Sequence, residues 1–248
     1  MSRNIVIIFA GGSGVRMGAG IPKQFIEIDG KPILIHTLEI FENHSEIDEI
    51  YVACKEDYIE KLQRMFRRYD ITKVRKVVPG GNTALDSQYR GLKAAQEDGR
   101  EDDDIVMIHD GVRPCITRGL ISRVIQSVKD HGSGIPTTPL VETPVITDDG
   151  QIIKDIPNRK YCFTAQAPQG FRLGDIIEAH EIVRKDNPDY VGIVDSATML
   201  HNMGRTTAMV KGSKGNIKVT TPEDLYIFRG MRLYKESQDA FGLNLAED

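Results

Sequence analysis

The run Ala10-Gly-Gly-Ser-Gly-Val-Arg-Met-Gly18, followed by Ile21-Pro-Lys-Gln24, carries the side chains of this 248-residue sequence best suited to chemistry. Its glycines leave backbone N–H groups free to fold around a phosphate chain that side chains would hold off. Arg16 and Lys23 add two cations where a triphosphate would lie. Two familiar phosphate loops are excluded. No Lys-Ser or Lys-Thr follows the glycines as a P-loop requires, and a dinucleotide fingerprint starting at Gly12 would need its third glycine where Met17 stands. The segment therefore predicts a bound nucleoside triphosphate, the alternative being an ordinary strand-to-helix turn.

Three further segments bear polar groups in suggestive places. Gly80-Gly-Asn-Thr-Ala-Leu-Asp-Ser87 pairs two glycines, which let backbone approach a flat base, with Asn82, Thr83 and Ser87, which offer polar edges. Taken by itself it also reads as a turn. Ile108-His-Asp-Gly-Val-Arg-Pro114 ends an apolar run, so Asp110 points into the crevice where α/β sheets bind ligands. Asp110 is placed to share Mg²⁺ with a triphosphate, and Arg113 to fork onto a phosphate. An Asp–Arg pair that locks the loop is the alternative, and His109 reads as a packing or backbone contact. In Asn216-Ile-Lys-Val-Thr-Thr-Pro-Glu-Asp-Leu225, alternation sets Lys218 on the face opposite Ile217 and Val219. If buried, Lys218 needs an anion or a carboxylate; otherwise it is a snorkelling surface lysine.

The elements that must position these groups alternate strand-like and helical patterns, which predicts a doubly wound, mostly parallel α/β sheet. Strands are expected at 5–9, 49–54, 73–78 and 105–109, with helices at 32–43, 56–69 and 84–97. In the second helix Tyr58, Leu62, Met65 and Phe66 share one face and read as core. Three prolines between 135 and 146 argue against a central strand with a continuous ladder there. Asp148-Asp-Gly150 predicts a turn joining strands 145–147 and 151–156 into a projecting β-hairpin. Such an arm (about 136–160) exposes edges, and the expected cover is a second copy of the chain, making a homodimer. Helices follow at 174–185 and 196–203, then short strands at 206–211 and 216–220. A last helix, capped by Thr221 with Pro222 and Asp224, runs to about 240.

Composition bounds the rest. Length suits one α/β domain over 1–248, and 40% hydrophobic with 27% charged residues is ordinary for a soluble globular protein. A net charge of −4 argues against non-specific nucleic-acid binding. No apolar run is long enough for a membrane span, and no signal peptide is evident at the N-terminus. Cys54, Cys115 and Cys162, odd in number and widely spaced, predict free thiols and a cytoplasmic protein.

In their order and spacing the four segments resemble the cytidylyltransferases that couple CTP to a polyol phosphate, from Ala10 to about Leu225. Also similar are Pro22-Lys-Gln24, Asp86-Ser87, Ala167-Pro-Gln169 and Asp195-Ser196. The resemblance implies a nucleotidyltransferase sheet with a dimerising β-arm and a Mg²⁺-dependent reaction giving a CDP-polyol and pyrophosphate. It further implies that Ala10, Gly11, Gly12, Ser13 and Gly14, with Arg16 and Lys23, hold the CTP phosphates. Gly81, Asn82 and Ser87 would surround cytosine and ribose, Asp110 would bind the metal, and Lys218 would meet the reacting phosphates. Thr143, reaching across from a partner subunit, and Arg159 would hold the second substrate's phosphate, with Arg113 sharing that role.

Members acting on ribitol 5-phosphate often read Ala-Gly-Gly in the first loop, as here, whereas members acting on 2-C-methyl-D-erythritol 4-phosphate more often read Ala-Ala-Gly. The expectation is thus ribitol 5-phosphate or a related alditol phosphate, with methylerythritol phosphate as the alternative. Ala84 and Ala167 stand where some relatives carry arginine and threonine. A sugar-1-phosphate nucleotidylyltransferase and a non-catalytic nucleotide sensor are the competing classes. Intact Arg16, Lys23, Asp110 and Lys218 argue against the sensor.

Overall fold

A computed structural model describes residues 2–12 and 21–241, the last four by backbone alone. Ser13, Gly14 and Arg16 lie outside the described residues. The chain opens with β1 (Asn4–Ala10), whose Ile5, Val6, Ile7 and Ile8 are fully buried. Such an unbroken apolar run fits a strand covered on both faces. It pairs in parallel with β4 (Glu49–Cys54) and β6 (Ile105–Asp110). Beyond β4 lies β5 (Val74–Pro79), again parallel.

Side-chain alternation sends β1 into two cores. Val6 and Ile8 meet α1 (Ile33–Glu42), α2 (Ile59–Arg68) and α4 (Arg118–His131). Ile5 and Ile7 meet α3 (Ala84–Glu97) and α5 (Leu173–Asp186). Gly91 permits α3 to lie this close, because a Cβ there would stand 2.5 Å from Ile7 Cγ2. The expected face of Leu62, Met65 and Phe66 is core, with Tyr58 packed at its edge as the last residue of a short 3₁₀ turn, Glu56–Tyr58. A small hairpin, β2 (Glu27–Ile28) with β3 (Lys31–Pro32), precedes α1.

The other half of the sheet is mixed. β9 (Gln169–Arg172) runs antiparallel between β6 and β7 (Ser133–Pro139). β10 (Met209–Lys211) adds a parallel outer edge to β7. β8 (Phe163–Ala165) also pairs with β7. The path is β10-β7-β9-β6-β1-β4-β5. α6 (Ser196–Asn202) and α7 (Pro222–Phe241) complete the described chain. Among the described residues no helix is long and apolar enough to cross a membrane.

Three expectations are corrected. Residues 133–139 form a strand with neighbours on both sides despite Pro136 and Pro139. Ile135 donates to Ala208 O and Gly212 donates to Thr137 O, so Pro136 turns its nitrogen toward the opposite side. On that side the partner changes from β9 to β8, and the missing N–H falls in the break.

The arm holds no two-stranded ladder. Its strands reduce to one antiparallel bridge, Ile146 with Asp155. Asp149 Oδ1 accepts the Gln151 and Ile152 N–H groups at 2.8 and 3.0 Å, and Thr147 Oγ1 accepts that of Gly150 at 3.0 Å. Side chains thus take donors that a ladder would need.

Residues 216–220 form no strand and join no sheet. One long-range backbone bond, from Val219 N–H to Val112 O, ties them to the loop after β6, while Asp224 Oδ2 takes the N–H groups of Thr220 and Thr221. The last of these is the return bond of the expected capping box.

Candidate active site

Strand order reverses at β1. The chain lays β4 and β5 on one side of it, then returns to place β6 on the other. Ligands of open α/β sheets bind in the crevice beyond such a reversal. Ala10 ends β1 there, leading into Gly11 and Gly12, and Asp110 ends β6 paired with Phe9 in register.

Asp110 is buried and holds two cations. Lys218 Nζ lies 2.5 Å from Oδ1, and Arg113 Nε lies 2.8 Å from Oδ2. Burial alone would raise its pKa; Lys218 and Arg113 outweigh that and hold the carboxyl below its usual range. Lys218 is not the buried lysine considered above, since its side chain is 40% exposed. The alternation behind it is as read: Ile217 and Val219 join a cluster with Ile33, Val112 and Phe228, and Lys218 turns to the carboxylate. Arg113 donates a second bond, Nη1 to Asn216 O at 2.9 Å, so the loop-locking role is realised. Asn216 in turn donates from Nδ2 to Ala167 O at 2.7 Å.

His109 is fully buried, pushed down to about 4 chiefly by desolvation, and therefore neutral near pH 7. Its Nε2 meets Arg113 O at 3.2 Å, the backbone contact expected of it.

Lys23 sits in a 3₁₀ turn, Lys23–Phe25. Buried Gln24 donates from Nε2 to Ala10 O at 2.6 Å and ties that turn to the end of β1. The Lys23 stem consequently runs beside the first loop: a Cβ on Gly12 would stand 3.6 Å from Lys23 Cε.

The second glycine loop adjoins the first, for a Cβ on Gly11 would stand 3.5 Å from Ser87 Oγ. Ser87 Oγ accepts the Gly81 N–H at 3.0 Å and donates to Thr83 O at 2.9 Å. Thr83 caps α3 by accepting the Asp86 N–H. Asp86 Oδ2 accepts the Asn82 N–H at 3.3 Å, and Gly81 is required because a Cβ would overlap that carboxylate.

The fold therefore gathers Ala10, Gly11, Gly12, Lys23, Gly81, Asn82, Ser87, Asp110, Arg113 and Lys218 around the carboxyl ends of β1, β4 and β6. Thr143 and Arg159 stand apart on the arm, both exposed, with Arg159 Nη1 donating to Val141 O at 2.6 Å. Gln24, Asn216 and Asp86 emerge as holders of the site, roles that no sequence motif assigns. Their signal was polarity beside glycine or proline; their burial was not visible.

Fold and site together are those of an α/β nucleotidyltransferase. The solved 4-diphosphocytidyl-2C-methyl-D-erythritol synthase of Anaerococcus prevotii superposes with a TM-score of 0.81 at 29% identity, over 94% of this chain and 96% of that one. The family model of 2-C-methyl-D-erythritol 4-phosphate cytidylyltransferase (IspD) matches residues 4–230, and the chain belongs to this family of cytidylyltransferases. Among its relatives, a ribitol-5-phosphate cytidylyltransferase of Vibrio parahaemolyticus is 41% identical over 240 residues, 96% of this chain and 100% of its own. A 2-C-methyl-D-erythritol 4-phosphate cytidylyltransferase of Clostridium botulinum is 40% identical over 227 residues, 92% of this chain and 96% of its own.

Proposed function

We propose that this cleft binds CTP and transfers CMP to a polyol phosphate, ribitol 5-phosphate or a related alditol phosphate, releasing pyrophosphate. The convergence of Lys23 on the first glycine loop, beside Lys218 and Arg113 on Asp110, is the observation that carries the reading. The preference for ribitol is supported by the Vibrio relative, which matches along its full length.

The polyol phosphate oxygen attacks the α-phosphorus of CTP, and pyrophosphate leaves in line. The attacking monoester is already an anion, so positioning and charge neutralisation suffice. Backbone N–H groups of Ala10, Gly11, Gly12, Ser13 and Gly14, with Arg16 and Lys23, hold the triphosphate. Gly81, Asn82 and Ser87 hold the nucleoside. Lys218 offsets charge where the two phosphates meet, and Thr143, Arg159 and Arg113 hold the acceptor phosphate.

Mg²⁺ fits this donor set in one way. Asp110 is the carboxylate beside Lys218 and Arg113, and no group of three or more His, Cys, Asp or Glu gathers among the described residues. Magnesium accepts such a site when phosphate oxygens and water supply its other ligands. Bound there, it would neutralise phosphate charge beside Lys218.

The arm supports assembly with a second copy. Val141, Val145, Ile146, Ile152, Ile156 and Tyr161 all face solvent, with Ile152 at 72% and Tyr161 at 75% exposure. An apolar surface of this kind on a projecting segment is covered most simply by its own equivalent. Free Cys54, Cys115 and Cys162 fit the reducing cytoplasm as the place of reaction.

Purified protein with CTP, Mg²⁺ and each polyol phosphate in turn, assayed for pyrophosphate and CDP-polyol, tests this reading. Turnover with ribitol 5-phosphate and CTP above UTP, ATP and GTP is expected. Turnover with methylerythritol phosphate alone would transfer the protein to the activity named for its Clostridium relative.

A further inference from the structure

Arg184, on α5, which packs beside α3 on the same face of the sheet, has no part in the site as described above. Its Nη1 lies 2.6 Å from Asp86 Oδ1. The other oxygen of that carboxylate accepts the Asn82 N–H and fills the space beside Gly81. One buried acid thus joins α5 on one side to the backbone of the second glycine loop on the other.

Arg184 is itself held in place. Its guanidinium lies 4.5 Å from the centre of the Tyr89 ring and 5.8 Å from that of Tyr190. The Tyr190 hydroxyl stands 2.6 Å from His180 Nδ1, and both residues are buried. Burial pushes His180 down to about 3, so its ring is neutral near pH 7. The hydroxyl and Nδ1 share one hydrogen bond, which fixes the Tyr190 ring beside the Arg184 guanidinium. Arg90 also reaches Asp86, at 3.3 Å, but from the same helix and with a more exposed side chain, so it fixes nothing between the two helices.

We propose that Arg184 is a positioning residue for the nucleoside: acting through Asp86, it sets the backbone of Gly81 and Asn82 in the form that grips CTP. The proposal rests on the reading of Gly81, Asn82 and Ser87 as nucleoside contacts. It assigns Arg184 to binding and leaves the reacting phosphates to other groups.

The test compares wild type with Arg184→Met and Arg184→Lys in two measurements. The first is amide hydrogen exchange over residues 79–84; the second is KM for CTP against kcat. Arg184→Met is expected to speed exchange there and raise KM each by about tenfold, with kcat within about twofold, as loss of one charge-assisted bond acting on binding requires. Arg184→Lys, which keeps the charge, recovers most of both. Tyr190→Phe removes one oxygen beside the guanidinium and moves both readouts the same way by about twofold to threefold; it decides the matter if Arg184→Met fails to fold. Unchanged exchange over 79–84, or a fall in kcat with KM unchanged, overturns the proposal. A wild type without cytidylyl transfer overturns the reaction proposed above instead, and the exchange data with CTP dissociation constants then decide on Arg184.

Discussion

Lys218 Nζ lies 2.5 Å from Asp110 Oδ1, and Arg113 Nε holds the other oxygen of the same carboxylate. This three-membered cluster gives the cleft its charge and a dependence on pH. A carboxyl held below its unfolded value, about 3.9, contributes stability above that value and loses it as pH falls through the folded one. Lys218→Met weakens the hold, so acid unfolding followed by circular dichroism should begin at higher pH than in wild type. Turnover should fall by roughly 10²-fold. An unchanged acid midpoint would show that Arg113 alone sets the Asp110 carboxyl.

Lys23→Ala should lower kcat by roughly 10²-fold or more at saturating CTP, as expected for one lost electrostatic donor. The Gln24 bond to Ala10 O remains, so the thermal midpoint should stay near that of wild type. A normal rate in this variant would remove Lys23 from the mechanism.

Gly81→Ala forces a Cβ into the Asp86 carboxylate. Either the loop or Asp86 must move, and both outcomes cost the Asn82 bond. A loss of about 1–3 kcal/mol in urea unfolding is expected, with weaker CTP binding by calorimetry. Retention of both values would mean that the loop shifts freely.

His109 and His180 are buried and held at about 4 and about 3, chiefly by desolvation. Between those values and the unfolded 6.5, the unfolded chain binds more protons, so stability rises with pH across that window. Urea unfolding at several pH values should show stability falling as pH drops from 6.5 toward 4. His180→Phe should flatten that slope, and a wild type already flat there would contradict the burial argument.

Ile152→Asp and Ile153→Lys place charge on the apolar arm, where both side chains are exposed. Light scattering should show the assembly shift toward monomer. Turnover should fall with it if Thr143 serves the neighbouring subunit's cleft. A monomeric variant with full activity would confine each site to its own chain.

The parts most legible in sequence were those fixed by local pattern. β1 reads as a buried strand because four consecutive apolar residues face both cores, and α3 spans the expected 84–97 because Thr83 caps it. β9 was not expected. It is four residues long, and Gly170 is there so that α4 can approach, since a Cβ would stand 2.5 Å from Val124 Cγ1. Nothing local marks such a strand. The 145–156 region gave the turn correctly and its ladder wrongly, because Asp149 takes the donors the alternation had assigned to a partner strand. In the site, Lys218 was found by alternation, whereas Arg184 reaches Asp86 across 98 residues and follows no spacing rule.

The segment at 216–219, tied to Val112 by a single backbone bond, closes the charged cluster from outside the sheet. It delivers Lys218 and the Asn216 carbonyl to groups anchored on a strand from the other half of the molecule. Without it the buried Asp110 carboxylate would be matched, among the described residues, by Arg113 alone. Docking of this segment therefore completes the charge balance around Asp110, which no contact within the described sheet supplies.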